Sequence, residues 1–173
     1  MTRDDFEFDA QVSVRYHRRR SAFLERLNLI LTFLTLLAGG SAFATITASR
    51  PAIAGWLSLA IVAIGLAQVV FRPEAASMMH KQWLARWTKM LREVEMSPAP
   101  DAATLGRWAD EKCAMETECV GELRALQVDC WNRANRVMRT GVAPVKLRWH
   151  HRLFMQWISF DHVIEQMTPG PSH

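Results

Sequence analysis

Residues 27–71 read LNLILTFLTLLAGGSAFATITASRPAIAGWLSLAIVAIGLAQVVF, and the fold is decided by how this stretch is treated. Of 21 basic and 17 acidic residues, only Arg50 falls inside it. Leu27 to Ser49 gives 23 uncharged residues and Pro51 to Phe71 another 21. A helix rises ~1.5 Å per residue, so each run meets the ~20 residues that cross a ~30 Å hydrocarbon layer. The expected fold class is all-α: a two-transmembrane helical hairpin continuing into a cytosolic helical bundle. A buried globular pair would need more covering protein than the remainder of 173 residues supplies. A signal peptide is the competing reading, because Leu27 to Leu37 followed by Ala42-Phe43-Ala44 imitates an apolar core and cleavage site. A second apolar run follows almost at once, which favours an uncleaved hairpin.

Outside this block the charges return and set an orientation. Arg15, Arg18, Arg19, Arg20 and Arg26 precede the first span, while Arg72, Lys81, Arg86 and Lys89 follow the second. Basic residues collect on the cytoplasmic side, so both termini are expected there in a multi-pass protein of a bacterial inner membrane. Arg15 to Arg26 and Arg72 would be its anchoring charges. Ser49-Arg50-Pro51 would form a tight outer turn, with Pro51 opening the second helix and Trp56 at the outer interface. The implied organisation is 1–26, an arm basic near the membrane with a loose acidic start from Asp4 to Asp9; 27–71, the hairpin; and 72–173, a cytosolic helical domain. The formal charge of +4 does not call for nucleic acid, since lipid headgroups offer the adjacent counter-charge.

Each span carries small and polar residues on one side. Asn28, Thr32, Thr35, Gly39 and Ala42 share a face of the first, and Ala54, Ser58, Gly65, Gln68 and Arg72 nearly do so on the second. Small residues let helix backbones approach where lipid gives no hydrophobic drive, so the stripe reads as helix contact. It reads alternatively as the lining of a water-filled path in a homo-oligomer, because an amide such as Gln68 is costly against lipid.

Beyond Arg72, Glu74 to Glu95 is expected as one helix with Leu84, Trp87, Leu91 and Val94 in a stripe that Trp83 and Met90 widen. Ser97-Pro98-Ala99-Pro100 breaks it, and Asp101 or Thr104 caps the next. That helix is expected to reach Met138 with Met115, Cys119, Leu123, Leu126, Cys130, Ala134 and Val137 packed on Leu84 to Val94. Gly141 and Pro144 end it, and Val145 to Met167 is expected as a last amphipathic helix.

The chemistry-bearing residues do not assemble into a catalytic pattern. Cys119 and Cys130 on one helix would stand about 16 Å apart, beyond what ~2.3 Å Zn–S bonds bridge. Neither His150-His151, His17 nor His80 falls at ligand spacing, and Walker A, G-x-S-x-G and H-E-x-x-H motifs are absent from the sequence. No enzyme activity, cofactor or metal is expected. Trp83 and Trp87, with the acidic run Glu111, Glu116, Glu118 and Glu122, are the candidate partner-binding faces.

The order Arg15-Tyr16-His17-x-Arg19-Arg20 and Phe23, the Gly39-Gly40 pair, His80, Met115-Glu116, Leu123-Arg124-Ala125-Leu126 and Cys130-Trp131-Asn132 resembles small two-span proteins of bacteria and their prophages. These are similar to the SLATT (SMODS and SLOG-associating two-transmembrane effector) group, and the likeness covers about residues 12–160. The resemblance implies an oligomeric pore-forming or membrane-perturbing effector, gated by its cytosolic helices through a cytosolic protein or a nucleotide signal. The alternative expectation is a membrane-anchored interaction module of phage origin with no pore.

Overall fold

The computed structural model describes residues 1–39, 48–49, 51–119, 123–138 and 141–160. All regular structure among the described residues is helical. It comprises α1 (Arg3–Gly39), α2 (Pro51–Phe71), α3 (Pro73–Met96), α4 (Ala102–Glu118), α5 (Arg124–Met138) and α6 (Trp149–Phe154). The chain divides into two compact units, one made of Met1–Arg19 with Lys81–His173 and the other of Arg20–His80. Helices α1 and α3 contribute residues to both.

The first unit is built on the start of α1. This segment is helical from Arg3, not loose as its acidity suggested, and it supplies core. Phe6, Ala10 and Val14 are buried with Trp83, Trp87, Met90 and Val94 of α3 and Trp108 and Met115 of α4. Val12 and Tyr16, with Phe8 beside them, are buried with Leu126, Cys130 and Ala134 of α5. The apolar residues 6, 8, 10, 12, 14 and 16 alternate along the sequence. On a helix turning 100° per residue, alternate positions point ~200° apart, so this pattern gives two opposite apolar faces. One helix therefore serves two cores. Phe6 meets Trp108 edge-on at 5.7 Å and Phe8 meets Trp131 at 5.9 Å.

Two expected helices take a different form. The helix expected to run to Met138 stops at Glu118, where Cys119 turns to extended backbone and its N–H closes on the Met115 carbonyl at 3.1 Å. The next residues are Val120-Gly121, both weaker helix formers than the preceding run. The expected stripe is thereby divided: Met115 joins the α3 core, Leu126, Cys130 and Ala134 join the α1 core, and Val137 is exposed. Asp101 caps α4 as expected, accepting from the Thr104 N–H at 2.8 Å.

Of the helix expected from Val145, the described residues show the six of α6. Its first part is captured by a side chain: Asn132 Nδ2 donates to the Val145 carbonyl and the Val145 N–H donates to Asn132 Oδ1, both at 2.8 Å. An amide paired with both backbone groups takes the place of helical hydrogen bonds and keeps the residue out of helix. Leu147 is buried in a small cluster with Ala125 and Val128, whereas Leu153, Phe154, Trp157 and Ile158 are exposed. Residues 161–167 of the expected helix lie outside the described residues.

Helix α5 shows why the returning segment settles there. The N–H groups at a helix start have no intrahelical acceptor. Leu123 donates to the Tyr16 hydroxyl at 2.9 Å, Arg124 to Ser159 Oγ at 3.1 Å and Ala125 to the Ser159 carbonyl at 3.2 Å. Gly141, at φ +76°, makes a left-handed turn after α5 that a Cβ would strain.

In the second unit, Ser77 Oγ donates to the Ser21 carbonyl at 3.2 Å, with both residues and Leu24 buried. Its helices otherwise turn large apolar groups outward. Leu29, Phe33 and Leu36 on α1 and Leu59, Leu66, Val69 and Phe71 on α2 are each more than half exposed. Among the described residues one helix, Ser58–Met96, is long and apolar enough to cross a membrane. A second span is not shown, since residues 40–47 of the first apolar run and Arg50 of the expected turn lie outside the described residues.

Candidate functional site

The polar residues of the two apolar runs meet within the second unit. Asn28 and Thr32 of α1 and Gln68 of α2 line one open cleft with Arg72, Pro73, Glu74, Ala75 and Met78, and its volume is about 490 Å³. Gln68 Nε2 donates to Thr32 Oγ1 at 3.5 Å, a long bond that joins the two stripes. The sequence face Asn28/Thr32 and the face Gln68/Arg72 thus line one cleft of the same chain.

Among the described residues Thr35, Ser58 and Gly65 of the stripe are not in the cleft lining. Thr35 Oγ1 donates to the Leu31 carbonyl of its own helix at 2.9 Å. Ser58 is exposed, and among the described residues a Cβ placed on Gly65 would meet nothing within 4 Å, so no described backbone approaches closely at that position. Gly39 ends α1, and Ala42 lies outside the described residues.

The cleft gains its second side from the junction between α2 and α3. Arg72 has φ +42°, a left-handed conformation that costs a non-glycine residue about 1–3 kcal/mol. Its N–H still donates to the Gln68 carbonyl and its carbonyl still accepts from Ala76, both at 3.0 Å. The bend therefore falls on one residue between two intact helix ends, with Pro73 at the first position of α3, where its missing N–H costs nothing. Arg72 belongs to the stripe legible in the sequence, whereas Glu74, Ala75 and Met78 enter the site through this bend.

The arginines expected at the membrane surface divide by role. Arg15 donates to the Gln11 carbonyl at 3.0 Å and to its side chain at 2.5 Å, and Arg19 forms an ion pair with Asp129. Arg133 bonds the same carboxylate at 2.9 Å. Burial raises the Asp129 pKa, but the hydrogen bonds from Arg19 and Arg133 outweigh it and hold the group below its ordinary value. Arg20 lies over the Phe23 ring at 5.6 Å, while Arg18 and Arg26 are exposed on α1.

Trp83 and Trp87 are corrected from partner-binding candidates to core, being 8% and 3% exposed. Trp83 stacks on the buried His17 at 6.3 Å, and Arg86 covers it at 4.7 Å. The stripe finds its partner within the same chain, in Phe6, Ala10 and Val14, a segment whose alternation disguises its helical faces. Of the acidic run, Glu118 pairs with Arg86 at 2.8 Å and Glu116 with Lys112 at 3.6 Å, Lys112 also holding Asp9. Glu111 is half-buried, and Glu122 lies outside the described residues.

His80 is half-buried in the second unit, where desolvation first and the charge of Arg20 second push its pKa down to about 4. Among the described residues no cluster of His, Cys, Asp or Glu could hold a metal ion. No family model matches this chain, and no curated protein or solved structure matches it.

Proposed function

We propose that this chain is an integral membrane protein of the bacterial inner membrane whose two apolar runs form a hairpin with both termini in the cytoplasm. We further propose that copies associate as a pore-forming or membrane-perturbing effector gated by the cytosolic helices. The observation that carries the membrane reading is the outward-facing apolar surface of the second unit. Its large apolar side chains face outward while Gln68 and Thr32 bond to one another. In water such a surface would exceed the apolar patches that monomers tolerate, whereas in lipid it is the expected one.

Gating would use the Arg72 junction. A single left-handed residue joins α2 to α3, and α3 carries Trp83, Trp87, Met90 and Val94 into the core of the first unit. A cytosolic protein or nucleotide signal that moved α3 would load its force on that residue. Ser58 and the uncrowded Gly65 would offer α2 a close approach to a second copy. The resemblance to the SLATT group supports this direction.

A second reading, a membrane-anchored interaction module with no pore, is favoured by the Gln68–Thr32 bond, because polar groups satisfied inside one chain need no water-filled path. Conductance of the purified full chain in planar bilayers separates the two. Discrete currents that change with Gln68→Leu support the effector. A silent bilayer, with a monomer in lipid nanodiscs, removes the pore and leaves the anchor.

A further inference from the structure

We propose that the cleft lined by Asn28, Gln68, Arg72 and Glu74 is a binding site for the headgroup of a zwitterionic aminophospholipid. The inference rests on the membrane reading above and deepens it. The cleft contains one cation and one anion, two residues apart, at the end of an apolar helix pair. Arg72 offers a planar fork of donors suited to a phosphate, and among the described residues no carboxylate forms an ion pair with it. The Asn28 and Gln68 amides can donate toward the same phosphate. Glu74 and Ala75 stand in the first turn of α3, where backbone N–H groups have no intrahelical acceptor and favour an anion.

Glu74 is what selects the headgroup. A carboxylate on the rim opposes a purely anionic ligand but complements an ammonium two carbons beyond a phosphodiester. A phosphoethanolamine head matches both charges at once, its phosphate to Arg72 and its ammonium to Glu74. The volume of about 490 Å³ lies within the ~300–1,000 Å³ of small-molecule sites. The acyl chains have a ready surface, because Val69, Val70 and Phe71 on the approach to Arg72 are each at least 70% exposed.

The test is native mass spectrometry of the delipidated full chain in detergent, titrated with phosphatidylethanolamine, phosphatidylglycerol or free phosphoethanolamine. The expected result is one tightly retained phosphatidylethanolamine per chain. Its retention should fall about tenfold in Arg72→Gln and in Glu74→Gln, the loss of one charge-assisted hydrogen bond. Equal retention of phosphatidylglycerol, or retention unchanged in both variants, overturns the site. Free phosphoethanolamine binding as tightly as the lipid overturns the lipid source. If Arg72→Gln loses helix content by circular dichroism, Glu74→Gln and Asn28→Ala decide. Carbonate-washed membranes are assayed in parallel. Wild-type protein kept in the pellet but without lipid selectivity fails the site alone, whereas its release into the wash fails the membrane reading.

Discussion

Asn132 holds Val145 by both of its backbone groups at 2.8 Å, so that a side chain of α5 replaces the hydrogen bonds that a helix would have given this residue. The same helix repeats the device, Asn135 Nδ2 donating to the Val142 carbonyl at 2.6 Å. Two asparagines thereby fix the returning chain and place Leu147 in its cluster with Ala125 and Val128.

Asn132→Ala should therefore destabilise the first unit by about 1–3 kcal/mol, since it strands a paired donor and acceptor in a half-buried place. Asn132→Asp should be at least as harmful, because it sets a carboxylate against the Val145 carbonyl. Thermal unfolding followed by tryptophan fluorescence measures both. An alanine variant within about 0.5 kcal/mol of wild type would show that the pair carries no weight.

Trp87 gives a contrast between core and docking face. It is 3% exposed among Phe6, Met90 and Met115 of its cluster. Truncation to Ala should cost about 3–5 kcal/mol and lower the melting temperature of the purified protein, with no partner present. A Trp87→Ala protein that melts like wild type yet loses a partner would restore the tryptophan to a surface role.

How much of this could be read beforehand depends on how local the signal is. The cap at Asp101, the stripe Trp83, Trp87, Met90 and Val94, and the end of α5 before Gly141 are set within a few residues, and the sequence showed them. The role of Phe6 to Tyr16 was hidden, because their alternation becomes a helix only when apolar partners lie on both sides. The return at Val145 was hidden for a related reason, since Asn132 acts across 13 positions. In the cleft, Asn28, Thr32, Gln68 and Arg72 were visible as two stripes. Glu74, Ala75 and Met78 depend on a left-handed bend at Arg72, for which a non-glycine residue gives no warning.

His80 should make stability sensitive to acid. Desolvation and Arg20 keep its imidazole neutral in the folded chain down to about 4, against an ordinary value of 6.5. Between those values the unfolded chain binds more protons, so stability falls as pH drops through the window and the loss is complete below about 4. His80→Gln should flatten the fall in melting temperature between neutral pH and the lower edge of the window. The same slope in wild type and variant would assign the acid sensitivity to other groups.

The outward apolar surface makes the strongest demand on the membrane reading, and Val62 tests it near the middle of α2. This side chain is 57% exposed, so in a water-soluble protein an arginine there would be an ordinary surface change within about 0.5 kcal/mol. At the centre of a spanning helix the same substitution costs about 2.5–3.5 kcal/mol on insertion scales. Val62→Arg should accordingly reduce the fraction of protein that resists carbonate extraction, whereas Val62→Leu should leave it unchanged. Glu95→Lys, exposed on α3 beyond the end of α2 and outside the cleft, serves as the charge control and should remain in the membrane. If Val62→Arg stays in the pellet as fully as wild type, α2 does not lie in hydrocarbon, and both the pore and the anchor readings fall with it.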